Sequence, residues 1–124
     1  MLDGHRAGPV DFSPESLRVI DSALEEARPY SAGLPEAELD ALVQQFGCYV
    51  LEVAHRRFGG EYRWHAEMGQ PVLILGEPTR HIVVATWAKV RRRLEDPADS
   101  ITFFYEGIAE RVASAPPGYR ALLV

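Results

Sequence analysis

Apolar positions recur along this chain first at helical spacing, then at strand spacing, then at helical spacing again. The longest patterned stretch runs from Pro35 to Trp64. Leu39, Leu42, Val43, Phe46, Val50, Val53 and Ala54 fall on one stripe of a helical wheel. Pro35 suits the first turn of this helix, and Glu36, Glu38 and Asp40 suit the positive end of its dipole. Gly59 and Gly60 accept the left-handed backbone that ends a helix. Upstream, Ser13-Pro14-Glu15 combines a capping hydroxyl, a first-turn proline and a first-turn acid. Leu17, Ile20, Leu24 and Ala27 then form a second stripe to about Arg28. The connection from Pro29 to Leu34 is short, so the two helices are expected to pack as neighbours.

After Gly60 the period becomes two. Tyr62, Trp64 and Ala66 alternate with Glu61, Arg63, His65 and Glu67, which predicts a half-buried strand. Val72–Leu75 and His81–Ala85 flank the loop Gly76-Glu77-Pro78-Thr79 and predict a hairpin. Helical spacing returns with Trp87, Val90 and Leu94 behind a capping Thr86, leaving Lys89, Arg91, Arg92 and Arg93 mostly outward. Ile101, Phe104, Ile108 and Val112 follow, with Asp96, Asp99 and Ser100 as capping candidates and Pro116-Pro117-Gly118 as the stop. The expected architecture is α+β: a small three-stranded antiparallel sheet covered by about four helices. Residues 1–12, with His5, are expected to form a flexible N-terminal arm. Residues 13–115 form a single domain, and residues 116–124 an apolar C-terminal tail that docks on the domain or on a second copy.

Within the long helix, Gly47 to Ala54 is apolar on nearly every face and should be covered on two sides. Glu52 carries the one charge there. A carboxylate in such a place is paired or has a raised pKa, and Arg56, Arg63 and Lys89 are the expected partners. Glu52 and His55 also have the Glu-x-x-His spacing that carboxylate metal bundles use in two copies, but a single copy falls short of a ligand set. His65 and His81, on predicted strands, do not complete one, so no metal and no cofactor are assigned. Cys48 is the only cysteine, which excludes an intrachain disulfide and a cysteine metal cluster. It is read as inert packing rather than as a nucleophile. Phosphate-cradling glycine loops and nucleophile-elbow motifs are missing, and Tyr49, Trp64 and Trp87 are read as core or as the lining of a pocket between sheet and helix.

Length and composition, 124 residues at 47% hydrophobic and 25% charged, fit one ordinary soluble domain. No run is apolar enough to cross a membrane, and Met1–Phe12 lacks a signal-peptide core, so a cytoplasmic setting is expected. Charge is uneven. Residues 1–45 hold nine acids and three bases, residues 46–93 four acids and eight bases, and residues 94–124 five acids and two bases. An acidic helix face meeting a basic middle explains this without nucleic acid, although Lys89-Val-Arg-Arg-Arg93 is the stretch through which an adaptor would touch phosphates.

The segments GCYVLEVAHRRFGGEYRW, PVLIL and KVRRRLEDPADSITFFYEGI resemble a family of short bacterial domains of unknown function of the DUF3806-like kind. Gly47, Glu52, Gly59, Gly60, Trp64, Arg93, Leu94 and Glu95 match family positions, over about half the chain. The resemblance implies an α+β fold and no enzyme class. The resulting expectation is a small cytoplasmic bacterial domain without catalysis that binds another protein or a second copy of itself. Two alternatives remain: a ligand-binding or hydrolytic site built from Glu52, His55, Trp64 and Arg93, and a nucleic-acid adaptor through residues 89–93.

Overall fold

The computed structural model describes residues 10–124, so most of the arm expected over 1–12, His5 included, lies outside the described residues. Ser13 caps a single 3-10 turn, Pro14–Ser16: its hydroxyl accepts from the Ser16 amide at 3.2 Å. Helix α1 follows, Leu17–Ser31, and α2 spans Glu36–Phe58. Helix α2 stops at Gly59 with φ +76° and ψ −139°, a positive-φ conformation that favours glycine but not the left-handed helical cap expected. Strands β1 (Glu61–His65), β2 (Gln70–Leu75) and β3 (His81–Val84) come next, then α3 (Trp87–Glu95), α4 (Ile101–Ser114) and β4 (Arg120–Leu123).

The class is α+β, and the sheet departs from expectation. It has four strands in the order β1-β2-β3-β4 and is mixed. The first three are antiparallel, but β4 lies parallel to β3, with His81 beside Arg120 and Val84 beside Leu123. The apolar tail is therefore a strand. Helices α3 and α4 carry the chain back across the sheet, which is the crossover a parallel neighbour needs. The His81 and Ala85 amides donate to Tyr119 and Leu123 carbonyls, both at 2.9 Å.

Helix α2 is covered on two sides, as its composition demands. Val43, Val50 and Val53 meet Leu17, Ile20 and Leu24 of α1, Val90 and Leu94 of α3, and Ile101 of α4. Leu51 and Ala54 meet Leu73, Leu75, Ile82 and Val84 of the sheet. At Gly47 the helix touches α3 so closely that an added Cβ would overlap the Trp87 ring. Thr86 does not cap α3 with its side chain; its hydroxyl donates to the Gly47 carbonyl at 2.6 Å.

Because α2 sits over β2 and β3, β1 lies beyond it. The half-buried strand expected at Glu61–Glu67 is instead an exposed edge: Tyr62 retains 43% and Trp64 67% of its accessible surface. Alternation in sequence says that two faces differ, and here one of them simply lacks a cover.

Candidate functional site

The third side of α2, left free by both cores, carries Cys48, Glu52, His55 and Arg56 at helical spacing. Cys48 is exposed rather than packed. Glu52 keeps 30% of its side-chain surface and is paired, though not with all the residues named from sequence. Its Oε2 accepts from Arg56 Nε at 2.9 Å, and its Oε1 accepts from the Tyr62 hydroxyl at 2.6 Å. His55 Nδ1 lies 3.6 Å from the same Oε1, and the His55 and Tyr62 rings are 4.8 Å apart. Arg63 and Lys89 pair elsewhere, with Glu61 and Glu77 and with Asp99 respectively.

These contacts fix protonation. The Tyr62 hydroxyl, then the Arg56 guanidinium, holds the Glu52 carboxyl below the usual glutamate range. Burial, then the hydrogen bond to Glu52, pushes the Tyr62 phenol far above its ordinary value. Near neutral pH Glu52 stays ionised and Tyr62 stays protonated, so neither is poised to exchange a proton. The pair is a charged clamp between α2 and β1.

On β1, Tyr62 and Trp64 share one face by alternation, and Glu61, Arg63 and His65 share the other. Arg63 Nη2 donates to Glu61 at 3.0 Å and also pairs with Glu77, which in turn meets His81 Nδ1 at 3.0 Å. His65 Nδ1 accepts from the Met68 amide at 3.1 Å. Among the described residues no strand lies on the outer side of β1.

Of the four ligand candidates read from sequence, Glu52 and His55 come together, and Trp64 stands two residues from the tyrosine that clamps them. Arg93 does not join them. It was expected to point outward, but only 7% of its side chain is exposed, and it pairs with Asp21 at 3.2 Å and Glu25 at 3.0 Å on α1. Lys89 is likewise buried, against Asp99. Arg91 meets Asp40, and Arg92 lies 3.8 Å from Asp99, so every base in the run 89–93 has an acid beside it. The acidic first helix supplies the counter-charge for Arg93 alone; Lys89 and Arg92 meet Asp99 and Arg91 meets Asp40, and burial of two of the four bases was not legible.

Tyr62 is the site residue that sequence reasoning placed in the core and so missed. Tyr49, Trp64 and Trp87 do not line a common pocket: Tyr49 stacks on Phe12 with its hydroxyl beside Ser16, and Trp87 packs in the helical core. A separate groove of about 670 Å³ between α1 and α2 is lined mainly by hydrocarbon, including Ile20, Ala27, Leu42 and Phe46, and holds none of the four candidates. Among the described residues no three His, Cys, Asp or Glu side chains cluster to hold a metal, and no helix is long and apolar enough to cross a membrane. No protein family, curated protein or solved structure matches this chain.

Proposed function

We propose that this chain is a non-catalytic protein-interaction module that recognises an extended segment along β1. The observation that carries this reading is Trp64, 67% exposed on a strand edge that is unpaired among the described residues. An edge offers a row of backbone donors and acceptors, and adding a strand to it is a common recognition mode. Tryptophan and tyrosine beside that row supply the anchors that dominate binding energy.

The alternative readings lose support from the same geometry. A hydrolytic Glu52 would have to take up a proton near neutral pH, whereas the Tyr62 hydroxyl and the Arg56 guanidinium hold its carboxyl below the usual glutamate range. A phosphate-binding run needs unpaired bases, whereas residues 89–93 are matched by acids on α1, α2 and the α3–α4 loop. The single thiol, Cys48, fits the reducing cytoplasm proposed as the setting.

The test is selection of peptides from a random library on the immobilised domain, followed by amide chemical-shift mapping. The expected footprint is residues 61–65. Trp64→Ala should weaken binding about tenfold or more, since anchor residues cost over about 2 kcal/mol, while its melting stays unchanged. Peptides that map elsewhere, or that bind Trp64→Ala equally well, would refute the reading.

A further inference from the structure

We infer that the segment received by β1 is β1 of a second copy, paired antiparallel about Arg63 into one continuous eight-stranded sheet; this rests on the reading of β1 as the binding edge. The argument is the self-complementarity of five residues, Glu61-Tyr62-Arg63-Trp64-His65. In an antiparallel pair centred on Arg63, Glu61 stands opposite the partner's His65, and Tyr62 stands opposite the partner's Trp64. Each match occurs twice, as a two-fold interface requires. Residues directly opposite share a face, so four aromatic rings gather on the α2 side and two acid–histidine pairs on the other. Cross-strand aromatic pairs and side-chain hydrogen bonds between opposed residues are contacts that stabilise antiparallel neighbours.

The central Arg63 residues would oppose each other, yet each already carries its own counter-charge from Glu61 and Glu77. His65 accepts from the Met68 amide through Nδ1, which leaves its Nε2–H to donate to the opposing Glu61. Among the described residues the edge is open to solvent, with four of the five β1 residues exposed. The opposite edge lacks this match. In Arg120-Ala-Leu-Leu123 there is no acid to face Arg120 under any antiparallel register.

The experiment is sedimentation of the full chain from about 5 to about 500 µM, a range that brackets the weak affinity of a small interface. It is paired with thiol trapping in a Cys48→Ser background. Wild type should shift from monomer to dimer across the range. Arg63→Cys should give a disulfide-linked dimer on mild oxidation, because opposed Cα atoms lie about 4.5–5.5 Å apart. His65→Cys alone should not cross-link, whereas mixed with Glu61→Cys it should. His65→Glu should raise the dissociation constant about tenfold or more through like charge against Glu61, and Glu61→Lys with His65→Glu should restore it. A chain that stays monomeric, or a dimer untouched by His65→Glu and Trp64→Ala, overturns the inference. If the chain stays monomeric while selected peptides still map to residues 61–65, the second copy is wrong and the binding edge stands. If neither binds, both fall.

Discussion

Asp21→Ala tests whether the helical half of the domain is held by a polar hub. The Asp21 carboxylate accepts five hydrogen bonds: from Arg93 Nε at 3.2 Å, Ser100 Oγ at 3.2 Å, Ile101 N at 2.9 Å, Thr102 N at 3.0 Å and Thr102 Oγ1 at 2.8 Å. It is thus the counter-ion of a buried arginine and an external cap on α4, whose first amides have no helical acceptor. Removing one partner of a buried ion pair costs about 3–5 kcal/mol. Arg93 keeps Glu25, and Asp21 itself retains 18% side-chain exposure, so the low end applies to the pair. Loss of a cap adds about 1 kcal/mol. The expected total is about 4 kcal/mol, or a fall in Tm of roughly 10–15 °C for a chain of this size.

The pH dependence of that loss has a fixed sign. Burial pushes the Asp21 carboxyl up, but the Ile101 and Thr102 amides, the Thr102 hydroxyl and Arg93 together outweigh it, and the net direction is down. A lowered folded pKa gives stability that is fully present above the unfolded value, about 3.9. That stability is lost as pH falls through the folded value. Thermal melts of wild type and Asp21→Ala should differ by a constant amount at neutral pH and converge as pH drops below about 4. A difference under about 0.5 kcal/mol at pH 7 is the size of a neutral surface change and would refute the hub.

Gly47→Ala gains up to about 1 kcal/mol in helix propensity, but the new Cβ overlaps the Trp87 ring, and overpacking costs about 1–3 kcal/mol. A net loss of up to about 2 kcal/mol is expected by urea denaturation, and a more stable variant would show that α2 and α3 are not in close contact. Glu52→Gln should cost under about 1 kcal/mol, since its ion pairs are partly solvated, and a larger loss would mean a sealed site. Tyr62→Phe should move the Glu52 midpoint upward in a carboxyl NMR titration, because the phenol is the main group holding it down.

Local order was legible and distant order was not. The stripe on α2 and the Ser13 cap follow from spacings of three to seven residues, within reach of periodicity. The parallel β4 depends on two helices returning Arg120 to His81, which no local pattern encodes. The burial of Arg93 is invisible for a similar reason, since Asp21 is 72 positions away and an outward basic run looks the same whether solvated or paired. Of the candidate site, Glu52 and His55 were readable as helix neighbours. Tyr62 was not, because alternation assigned it to a buried face, whereas α2 meets that face only at the rim, through Glu52 and His55.

That uncovered face also changes what Glu52 is for. Sequence placed it at the centre of a possible site, whereas its contacts make it a positioning residue for a strand. Among the described residues this five-residue edge strand pairs with one strand, β2, and edge strands of that kind fray readily. The Tyr62 hydroxyl, fixed on Glu52 at 2.6 Å with Arg56 behind it, ties β1 to α2, which packs in both cores. Such a tether costs little in stability to break, yet it sets the geometry of the edge before anything binds, and preorganisation acts directly on affinity. Glu52→Gln should therefore speed hydrogen exchange at residues 61–65 and weaken binding there, with scarcely any change in Tm. Unchanged exchange on β1 would separate Glu52 from the edge.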